Sequence, residues 1–196
     1  MRIVISEFIS LDGVVQAPGG ADEDRDGGFA HGGWSMPYFD PEVMGGAIGE
    51  VADRTEVLLY GRRTWQVMAG AWPDRAGDPF ADWMNSAEKH VVSDTLTEAD
   101  LTWGPTTLIR GADLIPAVEA LRAREGGEVN VMGSAQLVRS LLEADLVDEM
   151  NLMIEPIVLG GGKSIFPADG AARPFELVST VPAGTGVQVS RYRRAR

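Results

Sequence analysis

Apolar residues along the chain occur in short runs of two kinds, and their order predicts an α/β fold. Nearly continuous apolar runs at residues 2–9, 56–60, 89–93, 128–132 and 147–155 are typical of buried strands. Helices are predicted over 41–54, from about Thr64, over 114–125 and over 134–143, and further extended pieces at 101–103, 107–109, 175–180 and 186–193. Strands that alternate with helices indicate a mostly parallel sheet between helical layers. No linker or repeat interrupts the pattern, so residues 1–196 are predicted to form one domain.

Glycine is concentrated in two segments before the second strand. Residues 16–36 are rich in glycine and aspartate and predict a long loop that is functional or mobile. The helix that follows has Asp40 as a candidate N-cap and Pro41 in its first turn. Gly45, Gly46 and Gly49 weaken this helix by about 1 kcal/mol each relative to alanine. Such a cluster would let a flat ligand lie close, and a poorly formed helix is the alternative.

Two strand-to-helix junctions share one design. In LLYGRRTW, Gly61 follows the strand and Arg62 begins the next segment. In VMGSAQLV, Gly133 follows the strand and Ser134 begins the next segment. At each junction, free N–H groups and the positive end of a helix dipole would point out of the carboxyl edge of the sheet, where α/β folds bind ligands. Two such turns suit a dinucleotide. Neither is a GxGxxG or GxxxxGK[ST] phosphate motif, and turn geometry alone also explains a glycine. The later segment LGGGK at 159–163 is weaker still, because no helix is predicted after it.

Composition and charge remove several classes of function. The net charge of −12 argues against nucleic acid as a partner, and the basic cluster Arg191, Arg193, Arg194 and Arg196 is interpreted as a solvated tail. No apolar run approaches the ~20 residues of a membrane helix, and the N-terminus is interpreted as a strand, so a cytoplasmic location is expected. The absence of cysteine, the separation of His31 from His90 and the lack of a GxSxG motif leave thiol, metal and serine-hydrolase chemistry unsupported. A bound cofactor that carries the reaction becomes more attractive.

Four segments give the chain a family resemblance. They are SLDGVV at 10–15, LLYGRRTWQVM at 58–68, KHVVSDTL at 89–96 and NVMGSAQLVRSLLEADLVDEMNLMIEPIVLGGGKSIF at 130–166. Through them the sequence resembles the dihydrofolate reductase-like superfamily, and within it the branch of the C-terminal reductase domain of the bacterial riboflavin-biosynthesis deaminase/reductase. The resemblance implies a three-layer αβα sandwich with a mixed, mostly parallel central sheet, assembled as a homodimer. It also implies NADPH as the donor of hydride to a pterin or a ribosylamino-pyrimidine.

Carried over by position, the resemblance implies a cofactor site and a substrate cleft. The implied cofactor residues are Asp12, Gly13, Gly61, Arg62, Thr64, Ser93, Asp94, Thr95, Gly133, Ser134, Ala135, Gln136 and Leu137. The Asp12–Gly13 turn would line the nicotinamide, residues 93–95 would meet the adenosine ribose and its 2′-phosphate, and the two glycine turns would hold the phosphates. The implied substrate residues are Trp34, Phe39 and Ile154.

Two positions depart from the family pattern. Asp94 places a carboxylate where a dianionic 2′-phosphate would lie, so NADH remains possible beside NADPH even with Arg62 as a compensating cation. The acid that dihydrofolate reductases carry on the preceding helix falls near Gly45 here, so no catalytic proton donor is assigned. Asp40 and Glu42 could relay a proton, but helix capping and a first-turn position account better for both.

The sequence therefore predicts an NAD(P)H-dependent reductase that acts on a small pterin-like or ribosylamino-pyrimidine-like molecule, similar to 5-amino-6-(5-phosphoribosylamino)uracil reductase. A deaminase half is not expected, because its zinc chemistry uses cysteines. The alternative is a non-catalytic nucleotide-binding module that kept the fold and lost the chemistry. No nucleic-acid or membrane partner is expected.

Overall fold

A computed structural model describes residues 1–75 and 77–195, and Ala76 and Arg196 lie outside the described residues. The strands are β1 (Arg2–Ser10), β2 (Thr55–Gly61), β3 (Glu88–Val92), β4 (Thr106–Ile109), β5 (Glu128–Met132), β6 (Glu149–Glu155), β7 (Phe175–Pro182) and β8 (Gln188–Arg194). The helices are α1 (Val43–Arg54), α2 (Arg62–Ala71), α3 (Pro79–Ser86), α4 (Leu114–Ala123) and α5 (Ala135–Glu143). Short 3₁₀ turns lie at Asp26–Gly28, Met36–Tyr38, Glu98–Asp100 and Gly111–Asp113.

All eight strands belong to one sheet, in the order β4-β3-β2-β5-β1-β6-β8-β7. Neighbours from β4 to β6 pair in parallel, whereas β8 pairs antiparallel with both β6 and β7. The central strand β1 therefore lies between β5 and β6, and the carboxyl ends of β1, β2, β3, β5 and β6 meet along one edge. This is the mixed, mostly parallel sheet that the sequence predicts.

Alternation along β1 shows how the two faces of the sheet differ. Ile3, Ile5 and Ile9 face the main core together with apolar residues of α4 and α5, and we call this side the α5 face. The opposite side, the α1 face, carries Ser6 and Phe8 of β1 and is covered by α1, α2 and α3. Helices on both faces confirm the three-layer αβα sandwich. None of the described helices is long and apolar enough to cross a bilayer.

The main differences from the sequence-based prediction are two helix starts, one missing strand and one unpredicted helix. Helix α2 begins at Arg62 rather than near Thr64, because Gly61 is still extended and the chain turns directly into the helix. Helix α1 begins at Val43 rather than at residue 41. Residues 101–103 form no strand, because the 3₁₀ turn Glu98–Asp100 precedes them. The prediction had no helix at 79–86, although Asp78 caps α3 through the N–H groups of Phe80 and Ala81.

Candidate functional site

A large open cleft of ≈ 2400 Å³ follows the carboxyl edge of the sheet and continues beneath α1. Its turn end is formed by the two glycine turns, residues 61–64 and 133–137, together with residues 93–95. Its sheet end lies on the α1 face, where β5, β1 and β6 contribute the side chains Ser6, Phe8, Asn130, Met132, Asn151 and Met153. The sheet end is roofed by α1.

Hydrogen bonds through Ser134 join the two glycine turns. The Gly61 N–H donates to Ser134 Oγ over 2.8 Å, and Ser134 Oγ donates to Thr64 Oγ1 over 2.7 Å. Gly133 and Ser134 both have left-handed backbones, with φ of 65° and 70°. A Cβ on Gly133 would lie 3.0 Å from Thr64 Cγ2, so the close approach of the turns requires glycine there.

The helices that start at these turns have no side-chain caps. No side chain accepts from the first N–H groups of α2 or of α5, in contrast to α3, whose cap is Asp78. The leading N–H groups of an α-helix have no partner within the helix, and they carry the positive end of its dipole. Both sets open on the same cleft, and Arg62 lies beside them. This donor set fits the phosphates of a dinucleotide.

The third segment of the turn end is tied to the β4–α4 connection. The hydroxyl of Ser93 accepts from the N–H groups of Thr95 and Leu96 over 3.1 and 3.0 Å. The carboxylate of Asp94 accepts from the Gly111 N–H over 2.8 Å. Asp94 therefore lies in the cleft as a fixed negative charge, whereas the guanidinium of Arg62 donates to a neutral partner, Gln66, at 3.1 Å and forms no ion pair within the part of the chain that the structure describes.

A buried carboxyl lies behind the second glycine turn. Glu7 occupies the α5 face of β1 between the buried residues Ile5 and Ile9, and it is 6% exposed. Burial raises the pKa of Glu7 well above its usual range, and a hydrogen bond from the Gly133 backbone only partly opposes this shift. Its Oε1 atom makes no hydrogen bond to the described protein atoms. Burial therefore favours the neutral form of this carboxyl beside the turn.

A second buried carboxyl, that of Glu155, lies at the last residue of β6, next to the sheet end of the cleft. Glu155 is fully buried and accepts from Ser35 Oγ at 2.7 Å and from the Ile9 N–H at 3.0 Å. Burial raises the pKa of Glu155 to about 7, and these two hydrogen bonds limit the shift. Ser35 lines the cleft, so the carboxyl is one hydroxyl away from it.

The structure brings most of the predicted site residues together. Gly61, Arg62, Thr64, Ser93, Asp94, Thr95, Gly133, Ser134, Ala135, Gln136, Leu137 and Phe39 all line the cleft. Asp12 lies outside the cleft, where its carboxylate accepts from the N–H groups of Leu159 and Gly160, and Gly13 lies beside it against Phe166. Trp34 is buried and donates to the Gln16 carbonyl, and Ile154 packs on the α5 face. The ligand roles of all these residues, inside and outside the cleft, remain predictions.

Asp40 and Glu42 have different surroundings. The carboxylate of Asp40 accepts from the N–H groups of Glu42 and Val43, each at 3.0 Å, as a capping residue does. The bond from Val43 is the main cause that lowers the pKa of Asp40. Glu42 is exposed and borders the cleft. Capping therefore accounts for Asp40, the interpretation that the sequence favoured.

Sequence reasoning missed the polar residues on the inner strands. Glu7, Asn130 and Asn151 each lie inside a strand. Glu7 and Asn130 are buried polar residues with apolar residues on both sides. The signal was present in RIVISEFIS, where Glu7 falls in step with Ile3, Ile5 and Ile9. Within the described ranges no group of His, Cys, Asp or Glu could hold a metal ion.

This fold and this edge site define an α/β protein of the dihydrofolate reductase type. The chain matches the RibD C-terminal domain over residues 2–189, and it belongs to that family. It is 25% identical over 191 residues to the uncharacterised protein YyaP of Bacillus subtilis (strain 168), covering 95% of this chain and 91% of YyaP.

Solved structures show the same fold. A protein from Shewanella sp. PV-4 that is provisionally assigned to riboflavin biosynthesis superposes with a TM-score of 0.76, 22% identity and full coverage of both chains. The dihydrofolate reductase of Enterococcus faecalis, solved with NADP(H), superposes with a TM-score of 0.63 and 15% identity, covering 100% of this chain and 97% of the enzyme. These similarities establish the architecture around the cleft.

Proposed function

We propose that the protein is an NAD(P)H-dependent reductase that transfers a hydride to a small heterocycle of the pterin or ribosylamino-pyrimidine kind. The observation that carries the proposal is the pair of uncapped helix N-termini that Ser134 joins at one sheet edge. Membership of the RibD C-terminal domain family supports a reductase. The NADP(H) bound by the enterococcal enzyme of the same fold supports the choice of cofactor.

In this proposal the turn end binds and orients the cofactor. The N–H groups of residues 134–137 and the guanidinium of Arg62 hold the phosphates, and the sheet end leaves room for a ring against Phe8 and Met153. The reduced nicotinamide supplies the hydride when it is bound. Asp94 disfavours a 2′-phosphate and Arg62 favours it, so NADPH is the expected cofactor and NADH a competitor.

The proton that accompanies the hydride needs an acid, and the position near Gly45 offers none. Glu155 is the described acid best suited to this role, because its pKa of about 7 leaves it partly protonated at neutral pH. In the structure the Ser35 hydroxyl donates to Glu155. When Glu155 is protonated and this hydroxyl turns toward the cleft, the carboxyl donates its proton to Ser35 Oγ and the serine passes its own proton to the substrate, which leaves Glu155 ionised. The carboxyl acts through the serine and touches no substrate itself.

The test is fluorescence titration of the protein with NADPH and with NADH. Arg62→Glu is expected to weaken binding by about tenfold or more, because a carboxylate replaces a cation beside the phosphates. Arg194→Glu is the matched control, since it makes the same charge change beside Asp145, outside the cleft. Absence of binding by the wild type at millimolar cofactor, or equal losses in the two variants, would overturn the proposal.

The second candidate is a nucleotide-binding module without catalysis, which the fixed carboxylate of Asp94 and the missing helix acid favour. Both candidates predict cofactor binding, so turnover separates them. Cofactor oxidation is followed against a panel of pterins and ribityl-pyrimidines. Tight binding with no oxidation above the buffer rate across the panel would support the module.

We further propose that the homodimer expected from the family forms along β7. This edge strand exposes Leu177, Val178 and Val181 over its eight residues, whereas the other edge, β4, has only four residues. Long apolar edges pair readily with another strand. Light scattering after size exclusion is expected to give a dimer, and Leu177→Lys a monomer. The control Val158→Lys, at an exposed loop position, should remain dimeric.

A further inference from the structure

Among the described residues, three neutral polar side chains on the α1 face have buried atoms without hydrogen-bond partners, beside the ion-paired Glu128, Glu149 and Arg191, each of which also has one. They are Ser6 on β1, Asn130 on β5 and Asn151 on β6. The unpartnered atoms are Ser6 Oγ, Asn151 Nδ2 and both side-chain amide atoms of Asn130, which is 0% exposed. Leaving such a group unpaired costs about 1–3 kcal/mol, so a chain that keeps three of them together requires an explanation.

The register of the sheet brings the three residues together. Ser6 is paired directly with Asn151 in the β1–β6 ladder, and Asn130 is paired with Val4, two positions before Ser6. All three therefore face the same side of three neighbouring strands. Strand spacing places the Cα atom of Ser6 about 5 Å from that of Asn151 and about 8 Å from that of Asn130, and separates the two asparagines by about 12 Å. All three line the sheet end of the cleft, so the unpaired atoms adjoin a space that a small ring could fill.

The surroundings of this trio define the chemistry of an occupant. Phe8, Met132 and Met153 lie on the same face and offer apolar contact to a flat molecule. The trio itself is neutral and supplies hydroxyl and amide groups, which both donate and accept hydrogen bonds. The nearest carboxyl along β1, Glu7, belongs to the opposite face of the sheet.

Charged groups on the α1 face lie next to the trio and are paired with one another: Glu149 shares the row of Val4 and Asn130, and Arg191 lies opposite Asn151. Glu128 contacts Arg2 and Arg54, and Glu149 contacts Arg2 at 3.2 Å and Arg191 at 3.6 Å. The trio itself is therefore neutral, and the carboxylates beside it are already paired with arginines. A cationic ring placed there would lose its hydration without gaining an unpaired counter-ion.

We propose that Ser6, Asn130 and Asn151 form the recognition edge for a neutral planar heterocycle whose adjacent N–H and C=O groups pair with the amide of Asn130. This inference rests on the proposed reductase function, and it assigns substrate selection to the strands rather than to α1. A side-chain amide forms two hydrogen bonds with a lactam edge, and a site built for such bonds strongly rejects a ring that leaves them unmade. A protonated ring is disfavoured, because the carboxylates nearest the trio, Glu128 and Glu149, are already paired with arginines.

The test measures ring binding directly, by calorimetry and ligand-observed NMR, with and without NADPH. Uracil and lumazine are the neutral lactam probes, and 2,4-diaminopyrimidine is the basic probe. The wild type is expected to bind the lactams at least about tenfold more tightly than the diaminopyrimidine. Asn130→Asp is expected to reverse this preference, because it converts the amide into a carboxylate of the same shape. Gln188→Glu is the control, an equivalent change at an exposed residue outside the cleft.

A second variant, Asn130→Leu, is used in case the carboxylate that Asn130→Asp introduces prevents folding. This variant is expected to lose lactam binding by about tenfold or more while its cofactor affinity stays at the wild-type value, because residue 130 is absent from the glycine turns. Its thermal midpoint should equal or exceed that of the wild type, since an unpaired amide is removed. No lactam binding by the wild type, or an unchanged preference in Asn130→Asp, overturns the inference. Failure of cofactor binding alone overturns the proposed function and leaves the ring measurements interpretable.

Discussion

The two ends of the cleft are built from different parts of the chain. At the turn end the ligand-facing groups are mainly the backbone N–H groups that begin α2 and α5, the helices that follow Gly61 and Gly133. At the sheet end they are side chains from three strands that are distant in sequence, such as Ser6 and Asn130. Backbone groups are the same for every residue, so the turn end can keep one ligand while the sheet end changes its specificity by substitution.

The largest expected effect is on the unfolding free energy, and it comes from the titration of Glu155 beside the sheet end. Its pKa is about 7 in the folded protein and 4.5 in the unfolded chain, so the stability that the neutral form provides is complete below pH 4.5 and is lost as pH rises through 7. This loss amounts to about 3 kcal/mol. Glu155→Gln should remove it from the pH dependence of the unfolding free energy, measured in urea between pH 4.5 and 8.

Glu119→Gln, at an exposed position on α4, is the control for Glu155→Gln and should leave the pH profile unchanged. Part of the pH dependence should remain in Glu155→Gln, because the pKa of Glu7 at the turn end is also raised by burial. Parallel profiles for the wild type and Glu155→Gln would show that this carboxyl does not titrate as described.

The next effect tests whether the turn end acts as one unit. Ser134→Ala removes the acceptor for the Gly61 N–H and the donor to Thr64, so the two turns lose their connection. Cofactor affinity should fall by about ten- to a hundredfold, equivalent to about 1–3 kcal/mol. Binding of the lactam probes without cofactor should not change. A parallel loss at both ends would show that the comparison between them is wrong.

The smallest effect concerns the choice of cofactor. Asp94→Ser removes a fixed carboxylate and leaves a hydroxyl that can donate to a phosphate. The ratio of NADPH affinity to NADH affinity should rise by several-fold, which corresponds to about 1 kcal/mol. Titrations of both cofactors measure it, and Asp113→Ser, at the last residue of the neighbouring 3₁₀ turn and outside the cleft, is the control. An unchanged ratio would mean that Asp94 does not face the 2′ position.

The comparison also explains what the sequence could predict. The glycine turns leave local marks, because a glycine at a strand end followed by a helix start is visible within a few residues, and Gly61 and Gly133 line the cleft as expected. The trio at the sheet end leaves none, because Asn130 and Ser6 become neighbours only through the pairing of β1 with β5. The position of Ile154 also depends on the fold. The residue packs on the α5 face, and the alternation along a strand does not tell which face of the sheet meets a ligand.

Helix α1 has a dynamic consequence for access to the sheet end. A Cβ at Gly45, Gly46 or Gly49 would meet no described atom within 4 Å beyond the neighbouring residues and backbone of α1 itself, so close packing against another segment does not explain these glycines. Each costs the helix about 1 kcal/mol relative to alanine, and α1 has a single fully buried side chain, Met44. Segments of this kind open before the rest of a protein unfolds, and their amide hydrogens exchange early. Local melting of α1 would therefore admit a ring to the strands while the cofactor stays bound.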